Sequence, residues 1–175
     1  MDNPKPKHLF KAARAGDAAK IRELLAAGAP LEATDLNGLT PVMAAAQAGQ
    51  GEAFHTLVEA GANLNALGLD QTDLLECAAE GGNAEIVRFL LERGLPVEGH
   101  WQPRSLVARR QGHITPLMSA AINGHVEAVH VLLAAGANRE RMAEFCPPVL
   151  DEGAETAAEL ARAISRSREF LLRWD

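Results

Sequence analysis

Bulky rings are scarce in this chain of 175 residues: five phenylalanines, two tryptophans and no tyrosine, 4% aromatic in all. A core built on aromatic side chains is thereby excluded, and Ala, Leu, Val and Ile must fill the interior. Small side chains of that kind suit helices that approach one another closely. Only two cysteines occur, Cys77 and Cys146, and neither has the Cys or His company of a metal site. That excludes a disulfide scaffold or a structural zinc site and fits a reducing compartment. No stretch approaches the roughly 18 apolar residues of a membrane-spanning helix. The opening MDNPKPKHLF carries basic residues with no apolar run behind them, so no secretory leader is expected and the expected location is the cytoplasm. G-x-S-x-G, H-E-x-x-H, phosphate-cradling glycine loops and paired-cysteine motifs are missing, which removes the commonest signatures of catalysis. The formal net charge of -6 argues against a general nucleic-acid binder, whose affinity comes largely from neutralised phosphates.

What the chain does have is a period. Gly16, Gly49 and Gly82 stand at equal steps of 33 residues, and Gly124 follows after 42. A fixed step of that size means stacked supersecondary units. The segments before the glycines read HLFKAARAG, TPVMAAAQAG, DLLECAAEGG and TPLMSAAING, with a weaker fifth copy, TAAELARAIS. Alanine pairs Ala12-Ala13, Ala45-Ala46, Ala78-Ala79 and Ala120-Ala121, with Ala161, mark the tightest column. Thr40-Pro41 and Thr115-Pro116 read as helix starts, a threonine oxygen capping an orphan N–H and a proline at the first position. Behind each glycine the apolar residues recur at the fifth offset (Ile21, Phe54, Val87, Val129, Phe170) and the ninth (Leu25, Val58, Leu91, Leu133, Trp174). Arg22, His55, Arg88 and His130 fall on the outward side, as in a helix packed on one face. Gly28, Gly61, Gly94 and Gly136 close these helices. The expected unit is helix, turn, helix, extended loop.

TPVMAAAQAGQGEAFHTLVEAGANLNA and TPLMSAAINGHVEAVHVLLAAGANRE resemble ankyrin repeats, whose pattern combines a T-P-L-H opening, an alanine pair, G-H and a closing G-A. The resemblance implies an all-α ankyrin-repeat solenoid with extended finger loops, two of them lengthened. The chain then divides into one domain, 1–175, of five units at about 5–37, 38–70, 71–112, 113–153 and 154–175. The family's T-P-L-H histidine is replaced by Phe10, Met43, Glu76, Met118 and Glu159, so its bracing of the loop is not expected. Repeat three has Asp73-Leu74 in place of Thr-Pro, and aspartate is still a competent N-cap. Charged residues on the first repeat and the last helix make both ends of the array look finished.

Candidates for chemistry are thin. His125, Glu127 and His130 invite a metal reading, but His125 holds the G-H position and lies five residues from His130, whereas ligands on one helix face prefer three or four. His100 and His113 flank an arginine-rich loop without a nearby carboxylate or cysteine partner in sequence. No catalytic residue, cofactor or metal ligand is therefore assigned; an enzyme with a metal site in the long loop is the weaker alternative.

In ankyrin-like arrays the partner is held by the fingers and the exposed side of each first helix, on the concave face. Carried onto this chain, that surface comprises Arg14; Leu36, Asn37, Leu39 and Gln47; Leu69, Asp70, Thr72 and Glu80; and Gln111, His113, Ile114, Ile122 and Asn123. Leu36, Leu39 and Leu69 are read as a row of exposed leucines or, equally for any one of them, as packing between adjacent fingers. Nine extra residues lengthen the finger after Gly94, which carries Trp101, Arg104, Arg109 and Arg110, the residue types most frequent at binding hot spots. A second long connection, from Gly136 to Thr156, is acidic at Glu144, Asp151, Glu152 and Glu155 and is read as a counterpart to the basic finger. All four lysines, Lys5, Lys7, Lys11 and Lys20, lie in the first repeat; they read first as a solvated edge, and in the sharper reading as a second basic patch for an acidic partner. The expected function is a non-catalytic protein-binding module, monomeric when free, acting as a stoichiometric inhibitor, neutraliser or adaptor on another protein with an acidic patch. The competing reading is a structural repeat domain with no dedicated finger site.

Overall fold

The computed structural model describes residues 6–69, 71–100 and 114–138. These form eight α-helices, with no strand among the described residues. They come as four pairs: α1 (Pro6–Ala15) with α2 (Ala18–Ala26), α3 (Pro41–Gln47) with α4 (Gly51–Glu59), α5 (Leu74–Gly81) with α6 (Ala84–Glu92), and α7 (Pro116–Ile122) with α8 (Val126–Ala134). The expected helix-opening prolines and closing glycines are in place. Asp17 and Asn83 cap α2 and α6 through their side-chain oxygens, and Pro41 and Pro116 open α3 and α7. Gly28, Gly61, Gly94 and Gly136 take positive φ just past the second helices, between 86° and 92°, the left-handed turn that a helix end commonly needs. The expected fifth unit lies outside the described residues.

Two layers result. The first helices α1, α3, α5 and α7 stack in sequence, and α2, α4, α6 and α8 stack behind them. The alanine pairs are at most 5% exposed, because each faces the neighbouring first helix. In the second layer Ile21, Phe54, Val87 and Val129 are fully buried as the pattern implies. The ninth-offset residues Leu25, Val58, Leu91 and Leu133 are only partly buried, and the deeper column lies one residue earlier: Leu24, Leu57, Leu90 and Leu132. At 3.6 residues per turn, positions three and four after the fifth offset share one apolar stripe, and the eighth offset falls nearer its centre. The few rings are concentrated here. Phe54, Phe89 and His55 meet edge to face with centroids 5.2–5.7 Å apart, and the Arg93 guanidinium lies 4.4 Å from the Phe89 centroid.

One expected cap is absent. The Thr115 hydroxyl accepts the Met118 amide at 3.2 Å, but that of Thr40 is buried with no hydrogen-bond partner among the described residues. Met43, where the family pattern has histidine, offers it no polar atom. An unpaired buried hydroxyl costs on the order of 1–3 kcal/mol. Thr40→Val is therefore expected to leave stability unchanged or raise it by about 1 kcal/mol, while Thr115→Val lowers it by about 1 kcal/mol. Urea unfolding of the two variants checks the opposite signs.

The repeats are also tied by the residue that precedes each second helix. Asn83 donates its side-chain N–H to the Gly49 carbonyl at 3.0 Å. His125 reaches the Glu80 carbonyl through Nε2 at 2.8 Å; since a carbonyl only accepts, that nitrogen carries the proton. Its imidazole covers Gly82, whose φ is 72° and where any Cβ would collide with the ring. The glycine period thus has two causes, a left-handed turn and the next unit's side chain laid across it.

Candidate protein-binding surface

The first finger is built on Asp35. Its Oδ1 accepts the amides of Asn37 (2.9 Å) and Leu39 (3.1 Å), and its own amide donates to the Leu39 carbonyl at 3.0 Å. This turn puts Leu36 at the tip, 96% exposed, and returns the chain so that Leu39 points into the core at 5% exposure. The expected row of three exposed leucines is corrected on that point: Leu39 packs inside, against the neighbouring buried residues. Leu69, on the next finger, is 77% exposed, and its amide donates to the Asn37 carbonyl at 2.9 Å. The two tips are therefore coupled through backbone, with Leu36 and Leu69 turned outward.

Beside the fingers, Arg14 forms a 3.0 Å ion pair with Asp35. The Gln47 side chain donates to the Glu80 carboxylate at 2.9 Å, joining adjacent first helices. Thr72 is half-buried, and its carbonyl accepts the Gly68 amide in the second finger. Ile114 is 42% exposed, Ile122 packs partly against the core, and the exposed Asn123 donates its side-chain N–H to the Ser119 carbonyl. Asp70, Trp101, Arg104, Arg109, Arg110, Gln111 and His113 lie outside the described residues, as do Cys146 and the acidic residues of the second long connection.

The base of the lengthened finger is described, and Asp73 holds it. One carboxylate oxygen caps α5 through the Glu76 amide at 2.8 Å, and the other accepts the His100 amide at 2.7 Å with the His100 Nδ1 3.6 Å away. His100, weighed as a metal ligand, is thus engaged with the carboxylate that opens its own repeat. His100 and Ile114, on either side of the inserted residues, line one small cavity with Gly99, Pro116, Gln71, Glu76 and Glu98, so the insertion begins and ends at one place. The His125, Glu127 and His130 grouping is separated: His125 turns toward Glu80, whereas Glu127 and His130 line a groove with Arg88 between α6 and α8. Among the described residues no three His, Cys, Asp or Glu side chains converge as metal ligands would, and no helix is long and apolar enough to cross a membrane.

The sequence reading missed a groove of about 760 Å³ along α1, lined by Pro6, Lys7, Phe10, Lys11, Arg14 and Ala15 and closed by Thr34, Asp35 and Leu36. The signal for it was present in the helical spacing of Lys7, Lys11 and Arg14. Glu32 and Glu98 were also passed over; they accept the amides of Asn63 and Asn138 in the following repeats, at 2.9 and 2.6 Å.

Stacked helix pairs, joined by hydrogen-bonded turns that present side chains away from the core, define a repeat solenoid of the binding-scaffold type. The chain belongs to the ankyrin repeat family: the family description "Ankyrin repeats (3 copies)" matches residues 9–102 and 69–143. Ankyrin repeats are generally protein–protein interaction modules. No curated protein matches the sequence.

Proposed function

We propose that this protein is a non-catalytic, stoichiometric binder of another protein in the cytoplasm, acting through its finger-bearing face to inhibit, neutralise or scaffold that partner. The observation that carries the reading is the pair of outward leucines. Leu36 and Leu69 are 96% and 77% exposed on turns whose backbone is fixed by Asp35 and by the Leu69–Asn37 hydrogen bond. Folding gains nothing from displaying them, whereas an interface gains apolar area on preordered loops. Arg14, Asn37, Gln47, Thr72, Glu80, Ile114, Ile122 and Asn123 supply polar and apolar surroundings on the same set of elements. Asp70, Gln111 and His113 are assigned to the site on the family pattern, and Trp101, Arg104, Arg109 and Arg110 on their hot-spot chemistry. A stable complex is expected to bury about 1,200–2,000 Å².

Leu36→Ser with Leu69→Ser is the test. Melting temperature should stay within about 2 °C of the parent, since both side chains are solvent-exposed, while quantitative capture from the native cell extract should lose its reproducible partner. A capture profile identical to that of the unmutated protein would sink the finger-face reading.

A further inference from the structure

We propose that the groove between α1 and the first finger receives an acidic protein segment carrying a bulky apolar side chain. This rests on the finger-face reading above and specifies the partner chemistry at its first-repeat end.

The floor and rim are apolar: Phe10, Ala15 and the exposed Leu36. One wall is the stripe Lys7, Lys11 and Arg14, at spacings of four and three along one face of α1. Arg14 is held by Asp35, but Lys7 and Lys11 have no carboxylate partner among the described residues. On α2 the arrangement differs, Lys20 being bridged to Glu23 at 2.7 Å. No acidic residue occurs in α1, in a chain whose net charge is -6.

This stripe works against the helix that bears it. Like charges three and four residues apart repel, and Lys7, in the first turn, opposes the positive end of the helix dipole. A helix of 10 residues with one face in solvent would be better served by a glutamate at either lysine position. Carboxylates from a partner supply the missing counter-charge, and an apolar side chain between them fills the space over Phe10 and beside Leu36. Nucleic acid is the poorer fit, because the groove is mainly apolar, Asp35 closes one side, and the acidic chain around it repels a phosphate backbone.

The test uses the full chain and two probes: selection from a phage-displayed random dodecapeptide library, and fluorescence polarisation with a labelled 12-residue Glu-rich peptide bearing two leucines. Selection should enrich acidic sequences with a large aliphatic or aromatic residue. The labelled peptide should lose about tenfold or more in affinity against Lys7→Glu/Lys11→Glu, and a similar factor when its leucines become serines or Leu36 becomes serine. The charge-reversed protein should meanwhile melt no lower than the parent, so lost binding cannot be ascribed to unfolding. Unchanged affinity in the charge-reversed protein overturns the proposal, as does equal binding of a 12-nucleotide oligothymidylate. A concentration-dependent dimer abolished by the charge reversal also overturns it, by making the occupant a second copy. If selected peptides ignore the lysine changes but are lost with Leu69→Ser or Glu80→Lys, this groove fails while the finger face stands. If they ignore all of these changes, both fail.

Discussion

Gly81→Ala should destabilise the protein by about 3 kcal/mol, lowering its melting temperature by about 9 °C, although alanine is the better helix former. Gly81 is the last residue of α5 and does not take the positive φ of the neighbouring Gly82. On propensity alone the substitution would stabilise by up to about 1 kcal/mol. The opposing term is backbone. A Cβ there would lie inside contact distance of the Ala46 carbonyl and 2.8 Å from both the Gln47 carbonyl and the Gly49 amide, none of which is a flexible side-chain end that can swing away. Relief requires α3 and α5 to separate, and these two helices form one of the tightest junctions of the first layer. The calibrating variant is Gly94→Ala, where φ is 86° and nothing lies within 4 Å of the new atom; strain alone should cost about 1 kcal/mol. Thermal and urea unfolding of the two variants decide the matter. A Gly81→Ala protein as stable as the parent would mean that the second and third repeats are not packed as described.

Asp73→Ala should have an effect of similar size, by a different route. Its carboxylate is 6% exposed and serves two amides, those of Glu76 and His100. Losing the cap costs about 1 kcal/mol, and losing the charge-assisted bond to the His100 amide about 2 kcal/mol. Asp73→Thr separates the two, since it restores the threonine that the second and fourth repeats carry there (Thr40 and Thr115), keeps a capping oxygen, and abandons His100. Hydrogen exchange gives the site-specific readout. The His100 amide should exchange faster in both variants, and that of Glu76 only in the alanine variant. Slow exchange at His100 in the threonine variant would show that the carboxylate does not hold the base of the long finger.

The scaffold was legible because its signals repeat. A glycine recurring every 33 residues, an alanine pair beside it and a threonine-proline or aspartate start each correspond to one local requirement, a turn, a close helix approach or a cap, and several copies vote together. The misreadings fall where a residue answers to something distant in sequence. Gly81 stands beside the periodic Gly82 but outside the period, and it is set by the carbonyls of α3 across the stack. Leu39 looked like a finger residue because it lies three residues after Leu36, but the Asp35 turn sends the two side chains in opposite directions. Asp73 was readable as a cap from its position, while its hold on His100, 27 residues later, had no local signature. The eighth-offset leucines were hidden by an equally apolar ninth column, which spacing alone does not rank. In the proposed binding surface, Leu36 and Leu69 were found by family position, and the α1 groove was missed because Lys7, Lys11 and Arg14 were read as charge in the first repeat and not placed together on one helix face.

The side chains laid across Gly82 and against Gly49 have a consequence for how such a chain changes length. Each unit offers the same socket, a left-handed glycine at its inter-helix turn, and each following unit offers a plug at the residue just before its second helix. The plugs are of two chemistries, carboxamides of different length at Gln50 and Asn83 and an imidazole at His125, but they meet sockets of one kind at Gly16, Gly49 and Gly82. A chain shortened by residues 50–82 would bring Asn83 over Gly16, a glycine of nearly the same φ as the Gly49 it left. Whole units can then be gained or lost without inventing a new joint, and the fingers carried by each unit are free to diverge with the partner they meet.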